Sequence, residues 1–144
     1  MLEQFIRGQI EKKAFPGLSI LVAEHGHILM ERHFGCKAVW PEPEPLTGDT
    51  LYDLASLTKP LVTAFLAVYQ LEKKQWHLQD EVRRFFPAFP LHITLEQLLT
   101  HSAGLLPWHP FYLYRSLDDL AQIASLKTTS APGAMVLYSD IGYI

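Results

Sequence analysis

Ser56 and Lys59 lie three residues apart in the run Leu54-Ala-Ser-Leu-Thr-Lys59. On a helix that spacing stacks a hydroxyl and an amine on the same face. A serine hydroxyl is a weak nucleophile until a base takes its proton. A lysine can be that base when burial or a cationic neighbourhood draws its pKa from about 10.4 towards neutrality. A helix start also offers free N–H groups and a positive dipole end to an oxyanion, and the apolar neighbours Leu54, Ala55, Leu57 and Leu61 predict a partly desolvated site. By itself the spacing says little: with seven serines and seven lysines in 144 residues, chance supplies roughly 0.3 such pairs per chain. The plain alternative is an N-cap serine followed by a solvated lysine, although a cation is disfavoured in a helix's first turn. A second group, Tyr138-Ser139-Asp140, follows the turn residues Pro132-Gly133. A tyrosine beside a cationic lysine can share its proton transfers; taken alone, the same motif is explained by a half-buried tyrosine at a strand end.

The elements that must position these residues are legible from periodicity. Leu2, Phe5, Ile6 and Ile10 mark one face of an amphipathic helix that Pro16-Gly17 ends. Residues 18–24 and 28–34 are β-prone runs joined at His25-Gly26-His27, which predicts a hairpin. The segment 41–48, with three prolines, predicts an extended surface loop. A helix is expected from Ser56, as N-cap, to Lys74, with Pro60 tolerated in its first turn and Leu61, Phe65, Val68 and Tyr69 on one side. Asp80 to Phe86 forms a short segment. Thr94-Leu-Glu-Gln97 reads as a capping box for a helix that runs to His101 and ends at Gly104. Another helix is expected from Ser116 to about Lys127, and Met135 to Asp140 is extended or irregular.

Composition narrows the classes. A 144-residue chain with 49% hydrophobic and 19% charged residues is globular and long enough for a core. A net charge of −3 offers no broad basic surface for nucleic acid. The longest apolar run, Leu61 to Val68, is well short of the ~20 residues that cross a bilayer. The lone Cys36 excludes an internal disulfide framework. Glu3 and Arg7 interrupt any signal-peptide core, which predicts a cytoplasmic protein, or a periplasmic or secreted one if a signal peptide has been removed.

Three strings resemble, in order and spacing, the serine β-lactamase-like hydrolases, in particular the branch holding class C β-lactamases, D-alanyl-D-alanine carboxypeptidases and related esterases. They are Leu51-Tyr-Asp-Leu-Ala-Ser-Leu-Thr-Lys59, Ile93-Thr-Leu-Glu-Gln-Leu-Leu-Thr-His-Ser-Ala-Gly-Leu105, and Pro132-Gly133 with Tyr138-Ser-Asp-Ile-Gly-Tyr143. The resemblance implies an α+β fold, an antiparallel sheet flanked by helices plus a helical subdomain. It implies Ser56 as the acylated nucleophile, Lys59 as its activator, Tyr138 as general base and proton shuttle, and Asp140 as a substrate-binding residue where many members carry Asn. An ionised Asp140 would hold Lys59 as an ammonium and move base duty towards Tyr138. The family's third motif, a Lys-Thr-Gly or His-x-Gly element, and its C-terminal strands are not found after Tyr138. Residues 1–144 are therefore expected to be part of such a domain, with a helix and hairpin over 1–40 and a helical region over 50–144. The implied function is acyl transfer from an amide, β-lactam or ester to water, on a small-molecule or peptide substrate and without cofactor or metal. The alternative is a non-catalytic binding or structural remnant. An open hairpin edge also invites self-association.

The remaining candidates have plainer readings. His25 and His27 make a poor zinc set. His101 and His109 bracket a loop that could approach the cleft, although a cation at a helix C-terminus suffices for His101. Trp108, Phe111, Tyr112 and Tyr114 are expected to pack against helices, with a pocket wall as the alternative.

Overall fold

The computed structural model describes residues 1–113, 122–123 and 125–144. The chain divides into two compact units, Met1–Asp53 and Leu54–Ile144.

In the first unit, helix α1 (Leu2–Glu11) precedes strands β1 (Gly17–Glu24) and β2 (His27–Ala38). The hairpin is antiparallel, in register from Gly17 opposite Gly35 to Glu24 opposite His27, with an irregularity at Val22/Ala23. His25 and Gly26 both have positive φ, 49° and 81°, the signature of a tight two-residue turn whose twist matches the strands. His27 therefore opens β2 and does not belong to the turn. The proline segment corrects an expectation: Glu44–Pro45 forms β3, antiparallel to β2, with Cys36 opposite Pro45. Lys37 and Glu44 pair across these strands at 2.9 Å. The sheet is thus three-stranded, in the order β1-β2-β3. Ile6 of α1, Phe34 of β2 and Leu46 just past β3 are the buried apolar residues of this unit, and Arg7 lies over the Phe34 ring at 5.2 Å. Phe5, expected on the buried face of α1, is exposed.

The second unit is helical. Where one helix was expected over Ser56–Lys74, three helical forms follow one another: a 3₁₀ turn (Ala55–Leu57), a π-helical turn (Lys59–Ala64) with Pro60 at its start, and α2 (Phe65–Glu72). Pro60 supplies no N–H and sets its own φ, so wider hydrogen-bonded rings cost little at this point. The expected apolar side is wrong. Leu61, Phe65, Val68 and Tyr69 are all exposed, and Ala67 is the buried residue. A segment apolar on all sides carries no phase for periodicity to read.

Helix α3 (Leu95–Leu99) starts at the expected capping box: the Gln97 N–H donates to Thr94 Oγ1, and the Thr94 N–H donates to Gln97 Oε1. It stops earlier than expected, because His101 takes φ of 56° just past its C-cap, Thr100. Gly104, with φ of 74°, lies in the loop beyond, against the Ser130 carbonyl. The core gathers Phe89, Ile93, Ala103, Leu105, Ile123 and Ile141. Most of the helix expected over Ser116–Lys127 lies outside the described residues, as does Tyr114. Among the described residues, no helix is long and apolar enough to cross a membrane, and no group of three or more potential metal ligands occurs.

Candidate active site

The four residues singled out from the sequence converge within the second unit. Lys59 Nζ donates to Ser56 Oγ at 3.3 Å and to Asp140 Oδ1 at 2.6 Å. It also lies 5.1 Å from the centre of the Tyr138 ring. The Ser56–Lys59 contact comes from the helical spacing; the contacts to Tyr138 and Asp140 span about eighty residues of sequence and depend on tertiary structure.

Ser56 is not an N-cap. It sits inside the 3₁₀ turn, whose cap position is Leu54, and no side-chain cap bond is made there. The Leu57 N–H is taken by the Leu54 carbonyl at 2.8 Å, so it is not free for an oxyanion. Ala55, immediately before Ser56, has φ of 44°, a left-handed conformation that costs a non-glycine residue roughly 1–3 kcal/mol and recurs where a functional side chain must be presented. Nor do the apolar neighbours bury the serine: Leu54, Leu57 and Leu61 are at least half exposed. Shielding falls on the lysine, whose side chain is 15% exposed.

The electrostatics follow from that geometry. The Lys59 ammonium is held above its ordinary pKa, chiefly by its hydrogen bond to Asp140; burial pulls the other way and loses. Lys59 is therefore a cation that donates to Ser56 Oγ and not a free amine.

The string around α3, for which the residues suggested no chemistry, is the platform that holds Tyr138 and Asp140. The Leu137 N–H donates to the His101 carbonyl at 2.9 Å and the Asp140 N–H to the Pro107 carbonyl at 2.8 Å. The Ser139 N–H donates to His101 Nδ1 at 3.1 Å. Ser139 is buried; its hydroxyl donates to the Leu106 carbonyl at 2.6 Å and accepts the Gly142 N–H at 3.2 Å. Tyr143 donates its hydroxyl to the Leu99 carbonyl at 2.8 Å, and burial raises its pKa. The Tyr-Ser-Asp segment and the residues on both sides of it are thus tied to the end of α3 and the loop that follows it.

His101 is the neighbour of this cluster that sequence reasoning misassigned. It is not a helix-end cation. Its ring lies 4.5 Å from that of Tyr138 and 4.9 Å from that of Tyr143, and burial followed by the Lys59 charge lowers its pKa. With Nδ1 accepting a backbone N–H, the ring is neutral and carries its proton on Nε2. His-Ser-Ala-Gly with no periodicity gave no signal for this; the positive φ of His101, which aims its ring back at Tyr138, is a tertiary feature. Of the aromatic cluster, Phe111 packs on the core, whereas Trp108 and Tyr112 are exposed and meet each other at 6.4 Å. A cavity of about 390 Å³ bordered by core residues, between Trp76, Phe85, Phe89 and Ile141, is lined by none of the four site residues.

A family model described as Beta-lactamase matches residues 2–144, and the chain belongs to this family. It is 33% identical to a penicillin-binding protein of Bacillus subtilis (strain 168) over 93% of this chain and 32% of that protein. It is 37% identical to an esterase of Burkholderia gladioli over 69% of this chain and 27% of that one. The fold is the β-lactamase fold: a class C β-lactamase structure superposes with a TM-score of 0.82 at 26% identity, over 98% of this chain and 40% of that one. The chain thus spans about a third of the length of these curated relatives.

Proposed function

We propose that this protein is a serine hydrolase that opens an ester, amide or β-lactam carbonyl through an acyl-enzyme on Ser56. The observation that carries this reading is Lys59 Nζ, placed between Ser56 Oγ and Asp140 Oδ1 and shielded from solvent beside Tyr138. Family membership supports it, and the relatives include proteins named as an esterase and as a penicillin-binding protein.

In the first half-reaction Ser56 Oγ bonds to the carbonyl carbon, and the bond to the leaving oxygen or nitrogen breaks. The proton released by Oγ passes to the Tyr138 hydroxyl as that hydroxyl gives its own to the leaving group. Lys59, held as an ammonium by Asp140, polarises Oγ and steadies the charge that develops along this relay. In the second half-reaction water takes the place of the leaving group, its proton returns to Ser56 Oγ by the same route, and the acid is released. The substrate is a small molecule or peptide, and residues 1–144 serve as part of one hydrolase domain. In a test with p-nitrophenyl acetate, the unmodified protein releases nitrophenolate and Ser56→Ala does not. Equal rates for the two proteins would overturn the reading.

A further inference from the structure

We infer that Asp140 makes this site select acyl substrates that carry no carboxylate near the scissile carbonyl, neutral esters and amides over anionic ones. The inference rests on the acyl transfer proposed for Ser56 and concerns which substrates reach it.

Among the described residues, the cation in contact with Ser56 is Lys59, and its charge is matched by Asp140 at 2.6 Å. His101 adds no positive charge, because it is half-buried beside Tyr138 and accepts the Ser139 N–H at Nδ1. An amide at position 140 would leave the cluster with a net charge of +1, a natural attractor for a substrate carboxylate. The carboxylate actually present brings that sum to zero. It also stays open to the approach of a substrate: the Asp140 side chain is 43% exposed, while the lysine it neutralises is 15% exposed. An anionic substrate therefore meets an accessible negative charge in front of a shielded positive one. A neutral acyl group loses nothing by this arrangement.

The size of the effect follows from Coulomb's law. Two like charges about 7 Å apart, in the intermediate dielectric of an open site, change an association constant by about tenfold at low ionic strength. Salt reduces the effect, since the screening length falls from about 30 Å at 0.01 M to about 3 Å at 1 M.

The test compares kcat/KM for p-nitrophenyl butyrate with kcat/KM for the p-nitrophenyl monoester of succinic acid, which has a free carboxylate at the end of a chain of similar length. The unmodified protein is expected to prefer the neutral ester, and Asp140→Asn to narrow that preference about tenfold. Any change in the basicity of Lys59 acts on both esters and cancels in the ratio. Added salt should narrow the preference of the unmodified protein as well, a measurement that needs no variant and decides the matter if Asp140→Asn does not fold. A preference for the anionic ester, or a ratio that neither Asp140→Asn nor salt moves by more than about twofold, would overturn the inference while leaving the hydrolase reading intact. Hydrolysis of both esters that persists in Ser56→Ala would instead overturn the hydrolase reading, and this inference with it.

Discussion

Replacing Ser139 with alanine removes a buried hydroxyl that does two jobs between Tyr138 and Asp140. It donates to the Leu106 carbonyl at 2.6 Å and accepts the Gly142 N–H at 3.2 Å, and Ser139 is 4% exposed. Alanine fits the space but leaves both backbone groups without a partner where water has little access. Each buried polar group stranded in this way costs about 1–3 kcal/mol. The long 3.2 Å bond belongs at the low end of that range and the short one higher, so the expected loss is about 2–4 kcal/mol. That is a large part of the roughly 5–15 kcal/mol by which a domain is stable. The assay is urea unfolding followed by far-UV circular dichroism. The midpoint should fall with the slope unchanged, because the surface exposed on unfolding is nearly the same. Thr100→Ala is the matched control: its hydroxyl also donates to a backbone carbonyl, that of Glu96 at 2.7 Å, but on an exposed surface. Water replaces that bond, so the change should stay within about 0.5 kcal/mol. A Ser139→Ala loss below about 1 kcal/mol, or one equal to that of Thr100→Ala, would refute the claim that the Tyr-Ser-Asp segment is held by its buried hydroxyl.

Thr94→Ala breaks the capping box of α3 and should cost about 1 kcal/mol in the same assay. His101 has a lowered pKa from burial, so the unfolded chain binds a proton at a higher pH than the folded one. Its contribution is intact above its ordinary value of 6.5 and is lost as pH falls below that value and through the folded one. Unfolding free energies measured across this window should therefore decline towards acid, and His101→Gln should flatten the decline. Asp140 raises the pKa of Lys59, so Asp140→Asn should move the Lys59 limb of the pH–rate profile to lower pH; an unmoved profile would count against control of Lys59 by Asp140.

What could be read from the sequence was local. The hairpin was legible because residues 18–24 and 28–34 are β-prone runs on either side of a short turn, and the capping box because both of its partners lie within four residues. Ser56 and Lys59 were legible for the same reason, since helical spacing alone brings them together. The misses all needed information from elsewhere in the chain. Ser56 looked like an N-cap because nothing local predicts that Ala55 turns left-handed. The buried side of α2 could not be phased because Leu61, Phe65, Val68 and Tyr69 are matched by apolar residues on the opposite side. Proline argued against a strand at Pro45, yet at the end of the three-stranded sheet it pairs with Cys36. His101 looked like a helix-end cation because its three partners, Tyr138, Ser139 and Tyr143, arrive about forty residues later.

The central claim is that Ser56 is a nucleophile made reactive by Lys59, Tyr138 and Asp140. The most direct measurement is the mass of the peptide containing Ser56 after the protein is incubated with a fluorophosphonate and, separately, with a fluorescent penicillin. A covalent adduct is expected on Ser56 with the fluorophosphonate, absent in Ser56→Ala and slowed in Lys59→Ala, with the anionic penicillin the poorer label. An unmodified Ser56 with both reagents, or adducts that form equally well without Lys59, would contradict it.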